Sequence, residues 1–115
     1  MSCLFCKIVE GSIPSRKVYE DEQVVAFHDI QPQAPVHLLV IPKKHIASLN
    51  DAEAEDAEVL GRLQLVAQQV AREAGLSESG YRVVTNSGKD AGQIVFHIHY
   101  HVLGGEKLAL LGNKE

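Results

Sequence analysis

The apolar positions of the chain fall into short stretches separated by polar, glycine-bearing or proline-bearing connections, with one longer run at helical spacing between them. Leu4 to Val9 is apolar-rich and ends at Gly11 and Pro14, which predicts one or two helical turns. Lys17 to Tyr19 and Val24 to Asp29 read as two short strands, and Glu20-Asp21-Glu22 between them supplies the turn of a hairpin. Gln31-Pro32-Gln33-Ala34-Pro35 cannot continue a central strand, because each proline removes a backbone donor. It predicts a loop leading to a third strand, His37 to Ile41, which Pro42 ends. Leu60, Leu63, Ala67, Val70 and Ala74 then recur at helical spacing, with Glu55, Glu58, Arg62 and Gln69 facing water. Asn50 followed by Glu53 has capping-box spacing and Gly75 stands where a left-handed cap belongs, so the pattern predicts a helix over Asp51 to Ala74. Tyr81 to Thr85 and Ile94 to Leu103 are two further strands, joined as a hairpin by the polar stretch Asn86 to Gly92. The expected architecture is α+β: about five antiparallel strands, one long helix inserted midway and a short N-terminal helix, in a single domain over residues 1–115.

Composition narrows the field. Of 115 residues, 45% are hydrophobic and 23% charged, a globular balance that argues against disorder. Eleven basic against fifteen acidic residues leave a net charge of −4, so nucleic acid and anionic lipid are not expected as partners. No apolar run approaches the roughly 20 residues of a membrane span. The start, Met1 to Lys7, lacks the charged-then-apolar pattern of a signal peptide, so a cytoplasmic location is expected. One count is out of line: six histidines, three of them within five positions.

Those three lie in the last predicted strand. Alternation puts Ile94, Phe96, Ile98, Tyr100 and Val102 on one face, the expected core side, and His97, His99 and His101 on the other. Three imidazoles in a row serve no packing purpose. A solvated row is one reading, and a single shared metal ion a second. On a regular strand same-face neighbours stand ~6.6 Å apart, so His97 and His101 would be ~13 Å apart. That is too far for one ion with bonds of about 2 Å. The third and favoured reading is a catalytic row spread along a substrate, in which separate imidazoles attack, donate and orient. Mutual repulsion then makes the middle residue, His99, the hardest to protonate, and a neutral imidazole is what a nucleophile requires.

The stretch His97-Ile98-His99-Tyr100-His101-Val102-Leu103 resembles the signature of the histidine-triad (HIT) family. Flanking segments agree: Phe27-His28-Asp29-Ile30, Pro32-Gln33-Ala34-Pro35-Val36-His37, Val40-Ile41-Pro42-Lys43-Lys44-His45 and Gly92-Gln93. The likeness runs from Phe5 to Gly105 and is closest to the Hint-like branch of nucleoside phosphoramidases. It implies that His99 attacks the α-phosphorus and forms a nucleotidyl-histidine that water hydrolyses, and that His101 contacts the phosphate and helps protonate the leaving group. It also implies that His97 and His37 complete a hydrogen-bonded array, with the carbonyl of His97 fixing the tautomer of His99. Asp29 takes the position that bonds ribose hydroxyls, and Ile30, Phe27, Phe5, Ile8 and Ile13 line a purine pocket. Asn86 and the stretch Gly92-Gln93-Ile94 approach the phosphate. Ile94 is a departure, since several relatives carry a serine there that bonds the leaving group.

Cys3-Leu4-Phe5-Cys6 has the C-x-x-C spacing of half a zinc site. His45 and His97 are the candidates for the other two corners. Relatives carrying this N-terminal pair resemble zinc proteins of this ligand type, so a structural Zn²⁺ is expected, with no cofactor for catalysis. The alternative is a pair of reduced thiols with His45 on the surface. A thioredoxin-like redox pair is disfavoured because the motif opens the chain instead of following a strand into a helix.

The resulting expectation is a cytoplasmic homodimer that binds purine nucleotides and hydrolyses nucleoside 5′-phosphoramidates of the AMP-amine type through a covalent His99 intermediate. The competing functions are a dinucleoside polyphosphate hydrolase and a non-catalytic nucleotide-binding module.

Overall fold

The computed structural model describes residues 3–110. Helix α1 covers Leu4–Glu10, and strands β1 (Lys17–Glu20), β2 (Val24–His28) and β3 (Val36–Pro42) follow. Helix α2 covers Ala57–Glu73, and β4 (Tyr81–Val84) and β5 (Tyr100–Gly104) follow it. The five strands form one antiparallel sheet in the order β1-β2-β3-β5-β4, which makes β1 and β4 its edges.

β2 and β3 carry nearly unbroken apolar runs because both faces of the sheet are covered. Val24, Ala26, Leu38, Val40 and Val102 pack with Val59, Leu63, Val66, Ala67, Val70 and Ala71 of α2 in one core. Val25, Phe27, Leu39 and Ile41 point the other way and pack with Cys3, Phe5 and Ile8 around α1. His37 shares that second face with Leu39, and the antiparallel register sets His101 opposite Leu39 and Leu103 opposite His37. The two histidines are therefore diagonal neighbours on the α1 side of the sheet, a spacing that long side chains bridge.

Three expectations change. Helix α2 begins at Ala57, not Asp51, and two 3-10 turns, Leu49–Asp51 and Ala54–Asp56, occupy the intervening stretch. Carboxylates here compete for backbone donors: Asp56 Oδ2 accepts from the Glu53 N–H at 2.9 Å, and Asp56 Oδ1 accepts from Lys44 at 2.7 Å. Asn50 caps nothing among the described residues. The buried stripe of α2 includes Val59, Val66 and Ala71, whereas Leu60 is half-buried and Ala74 exposed. Gly75 does close the helix in the left-handed region, at φ 81°, which lets the Leu76 N–H reach the Ala71 carbonyl at 2.9 Å.

The third change matters most. The final strand begins at Tyr100, and residues 94–99 are irregular. The Ile98 N–H donates to the Ile46 carbonyl at 2.7 Å, a bond to a loop and not to a strand ladder. Simple alternation fails as a result. Ile94 and Phe96, expected in the core, are 88% and 48% exposed, while His97 and His99 are buried.

Candidate active site

The irregular segment breaks the histidine row into two environments. His99 and His101 stay together, with ring centroids 5.0 Å apart, and His37 reaches His101 from β3 at 5.1 Å. His97 turns the other way. Its Nδ1 lies 3.5 Å from both Cys3 Sγ and Cys6 Sγ, so its ring does not join the His37–His101 pair as the array expected. Only its backbone does, through a carbonyl that accepts a hydrogen bond from His99 Nδ1 at 2.8 Å.

Hydrogen-bond partners fix the tautomers. A carbonyl only accepts, so His99 Nδ1 carries the proton and its Nε2 keeps a lone pair. His37 Nδ1 accepts from the Gln33 N–H at 3.0 Å, so His37 Nε2 carries the proton. That proton is shared between His101 Nδ1 at 2.9 Å and Asp29 Oδ2 at 3.3 Å. His101 Nδ1 is thus an acceptor, and in the neutral ring its proton sits on Nε2. One imidazole presents a lone pair and its neighbour an N–H.

Burial is the first cause of the lowered proton affinity of His37, His97 and His99. The large depression falls on His101, pushed down to about 4 by burial, then by the neighbouring His99 and His37. The middle histidine was expected to be the hardest to protonate. It is not, because the bent segment gives His101 two imidazole neighbours while the His97 carbonyl favours a proton on His99.

The other candidates are divided between lining and support. Phe5, Ile8 and Phe27 are buried in the α1-side core, with Ile13 packed at its edge. Phe5 lies edge-on to the His99 ring, 5.1 Å between centroids. Ile30 is 92% exposed beside Asp29, whose Oδ1 accepts from the Gln31 N–H. Asn86 is partly buried just beyond β4, and Gly92 follows a 3-10 turn over Lys89–Ala91 with φ 90°. Gln93 is a clamp: its Oε1 accepts from the Gly88 N–H at 2.8 Å, and its Nε2 donates to the carbonyls of Ala47 and Val95 at 2.7 and 3.1 Å. Thr85 Oγ1, just past the end of β4, donates to the His99 carbonyl at 2.8 Å. The supporting groups Gln33, Thr85 and Pro42 escaped the sequence reading. Two act through the backbone, and a threonine at a strand end carries no distinguishing signal.

Cys3 Sγ, Cys6 Sγ, His45 Nδ1 and His97 Nδ1 all lie within 4.8 Å of one another. The thiol–imidazole separations are 3.3 to 3.5 Å, matching the roughly 3.3–3.8 Å edges of a tetrahedron built on Zn–N and Zn–S bonds. His97 Nε2 donates to the Pro42 carbonyl at 2.8 Å, which directs the Nδ1 lone pair at the sulfurs, as a metal ligand requires. The donors fit a zinc ion. The motif stands at the N-terminus of α1, the helix predicted from Leu4, and among the described residues no strand precedes it; Cys3 Sγ accepts from the Cys6 N–H at 3.3 Å. Burial and the adjoining Cys3 nevertheless push the Cys6 thiol up to about 11, the opposite of an activated redox thiolate.

The HIT domain family model matches residues 10–108. The chain belongs to the HIT family. It is 48% identical over 105 residues to the purine nucleoside phosphoramidase of Escherichia coli K12, covering 91% of this chain and 88% of that one. The structure of a HIT family hydrolase from Legionella pneumophila Philadelphia 1 superposes with a TM-score of 0.94 at 50% identity, over 97% of this chain and 100% of the other. A histidine triad protein from Clostridium difficile gives 0.93 at 48% identity, over 100% of this chain and 97% of its own. No helix among the described residues is long and apolar enough to cross a membrane.

Proposed function

We propose that this HIT protein hydrolyses purine nucleoside 5′-phosphoramidates of the AMP-amine type, with His99 as nucleophile. The observation that carries the reading is the bond from His99 Nδ1 to the His97 carbonyl, which leaves Nε2 unprotonated. In the first step Nε2 bonds to the α-phosphorus as the P–N bond breaks, and the departing amine takes its proton from His101 Nε2, the ring entering the step as the imidazolium that a bound phosphate anion favours. In the second, water adds to the phosphorus, the P–Nε2 bond breaks, and a water proton returns to His101. His37, held by Gln33, orients His101 throughout. In this reading Asp29 accepts from ribose hydroxyls, and Ile30, which is exposed, offers an apolar face to the base.

The same reading gives Cys3, Cys6, His45 and His97 a structural zinc ion, which cross-links α1 to the sheet. It makes the chain a single catalytic domain, cytoplasmic in keeping with two cysteines that form no disulfide, and a homodimer. The edge strand β4 supports the last point, since it leaves Tyr81 and Val83 exposed beside unpaired backbone groups. The discriminating experiment compares turnover of an adenosine 5′-phosphoramidate with that of a diadenosine polyphosphate, for wild type and His99→Ala. Faster phosphoramidate turnover that His99→Ala abolishes is expected. Preference for the dinucleotide, or turnover that survives the substitution, overturns the proposal.

A further inference from the structure

Among the described residues, His97 is the one that belongs to both sites. Its ring takes part in the four-donor cluster, and its carbonyl orients the His99 imidazole. It is fully buried, yet it lies outside the strand ladder, since β5 begins at Tyr100. No regular ladder therefore sets its peptide plane. What holds the residue is the ring, bonded through Nε2 to the Pro42 carbonyl and facing both sulfurs through Nδ1, together with the peptide that carries its carbonyl, whose Ile98 N–H donates to the Ile46 carbonyl at 2.7 Å. The bond from Ile98 to Ile46 ties the same short segment to the residue after His45, and the His45 and His97 rings meet edge-on with centroids 5.0 Å apart, so residues 45–46 and 97–98 are joined twice.

A second connection runs through Phe5, which lies between the two cysteines in sequence. Its ring meets His99 edge-on at 5.1 Å and His97 at 6.0 Å. Helix α1, which carries Phe5, has only seven residues, too few to hold its own shape in water. Its attachment depends on Phe5 and Ile8 in the core and on Cys3 and Cys6 at its N-terminus.

We propose that the Cys3–Cys6–His45–His97 cluster, filled by a divalent cation of the zinc type, positions the reacting imidazole. His97 is the positioning residue that fixes the proton of His99 on Nδ1, and Phe5 limits the rotation of the ring. The centre thus acts on the chemical step and not on nucleotide affinity. The catalytic consequence rests on the function proposed above, whereas the positioning itself does not. Thiol–imidazole contacts without a cation are weak hydrogen bonds, while coordination makes them directional. Loss of an outer group that orients a reacting residue typically costs 10–100-fold.

The test uses the full chain as purified, stripped with a chelator and refilled with Zn²⁺, alongside His45→Ala, which removes the ligand that belongs neither to the 97–99 segment nor to α1. Three quantities are read: the rate of single-turnover nucleotidyl transfer per folded chain, AMP affinity, and the His99 ring-nitrogen signals in ¹⁵N spectra at one pH. In stripped protein and in His45→Ala, transfer is expected to fall about 10- to 100-fold. AMP affinity is expected to change less than about threefold, a kcat effect and not a binding effect. The His99 signals are expected to pass from one Nδ1–H tautomer to a mixture, and Zn²⁺ to restore the stripped wild type. A chain that takes up no cation, or a stripped chain whose tautomer and transfer rate are unchanged, overturns the proposal. If the tautomer responds but no nucleotidyl transfer occurs in any form, the positioning stands and the proposed hydrolysis falls.

Discussion

His37 Nε2 and His101 Nδ1 stand 2.9 Å apart and join β3 to β5 across one face of the sheet. Because the Gln33 N–H occupies the other nitrogen of His37, the proton between the rings comes from His37. His101 is left with an N–H that points away from the pair. Two histidines and a loop amide therefore decide which atom can donate to a leaving group, beside a His99 whose free nitrogen can attack.

This division of labour makes His101→Ala selective in its damage. Proton donation to a leaving group is worth about 10²–10⁴-fold. Hydrolysis of an adenosine phosphoramidate with a basic alkylamine is expected to slow by that order, while an ester with an acidic phenol leaving group slows much less. Steady-state kinetics on the two substrates give the ratio, and equal losses on both count against His101 as the donor.

Acid should loosen the fold through the same group. Burial and its imidazole neighbours push His101 down to about 4, against 6.5 for an imidazole free in water. Between these values the unfolded chain binds the proton and the folded one does not, so stability is full above pH 6.5 and is lost as pH falls toward 4. His37, His97 and His99 are also lowered and add in the same direction. In His101→Gln the fall of Tm between pH 6.5 and 4 is expected to be shallower than in wild type. An unchanged slope refutes the assignment.

Much of the fold was legible in the chain, and so was the gathering of His37, His99 and His101 and of Cys3, Cys6, His45 and His97. The paired apolar runs at Val24–Phe27 and Leu38–Ile41 announce strands covered on both faces, and Gly75 marks the end of α2. The geometry between His97 and His101 was not legible, because alternation assumes a regular strand. Here the bond from Ile98 to Ile46 and the Gln93 clamp draw residues 94–99 off the ladder. That departure exposes Phe96 and sends the His97 ring to the cysteines. The late start of α2 has a similar origin, since the carboxylate of Asp56 captures the Glu53 N–H before the helix begins.

Gln93 is expected to matter for stability more than its polarity suggests. Gln93→Leu keeps the bulk but leaves the Gly88 N–H and the Ala47 carbonyl without their partner. An unsatisfied buried group costs about 1–3 kcal/mol. Urea unfolding should register a loss of that order, and a variant as stable as wild type shows that the clamp is dispensable.

Pairing of two chains through β4 should be sensitive to charge at its exposed positions. Sedimentation equilibrium is expected to give twice the chain mass for wild type and a monomer for Val83→Asp. A Val83→Asp protein that remains dimeric places the interface elsewhere.

Rapid quench under denaturing, non-acidic conditions, followed by mass spectrometry of proteolytic fragments, reads the covalent step itself. During single turnover of an adenosine phosphoramidate, the adenylyl group is predicted on the fragment containing residues 97–101, attached to His99 Nε2 and absent from His99→Ala. Product release with no protein-bound nucleotide at any time, or attachment at His101 or His37, contradicts His99 as the nucleophile.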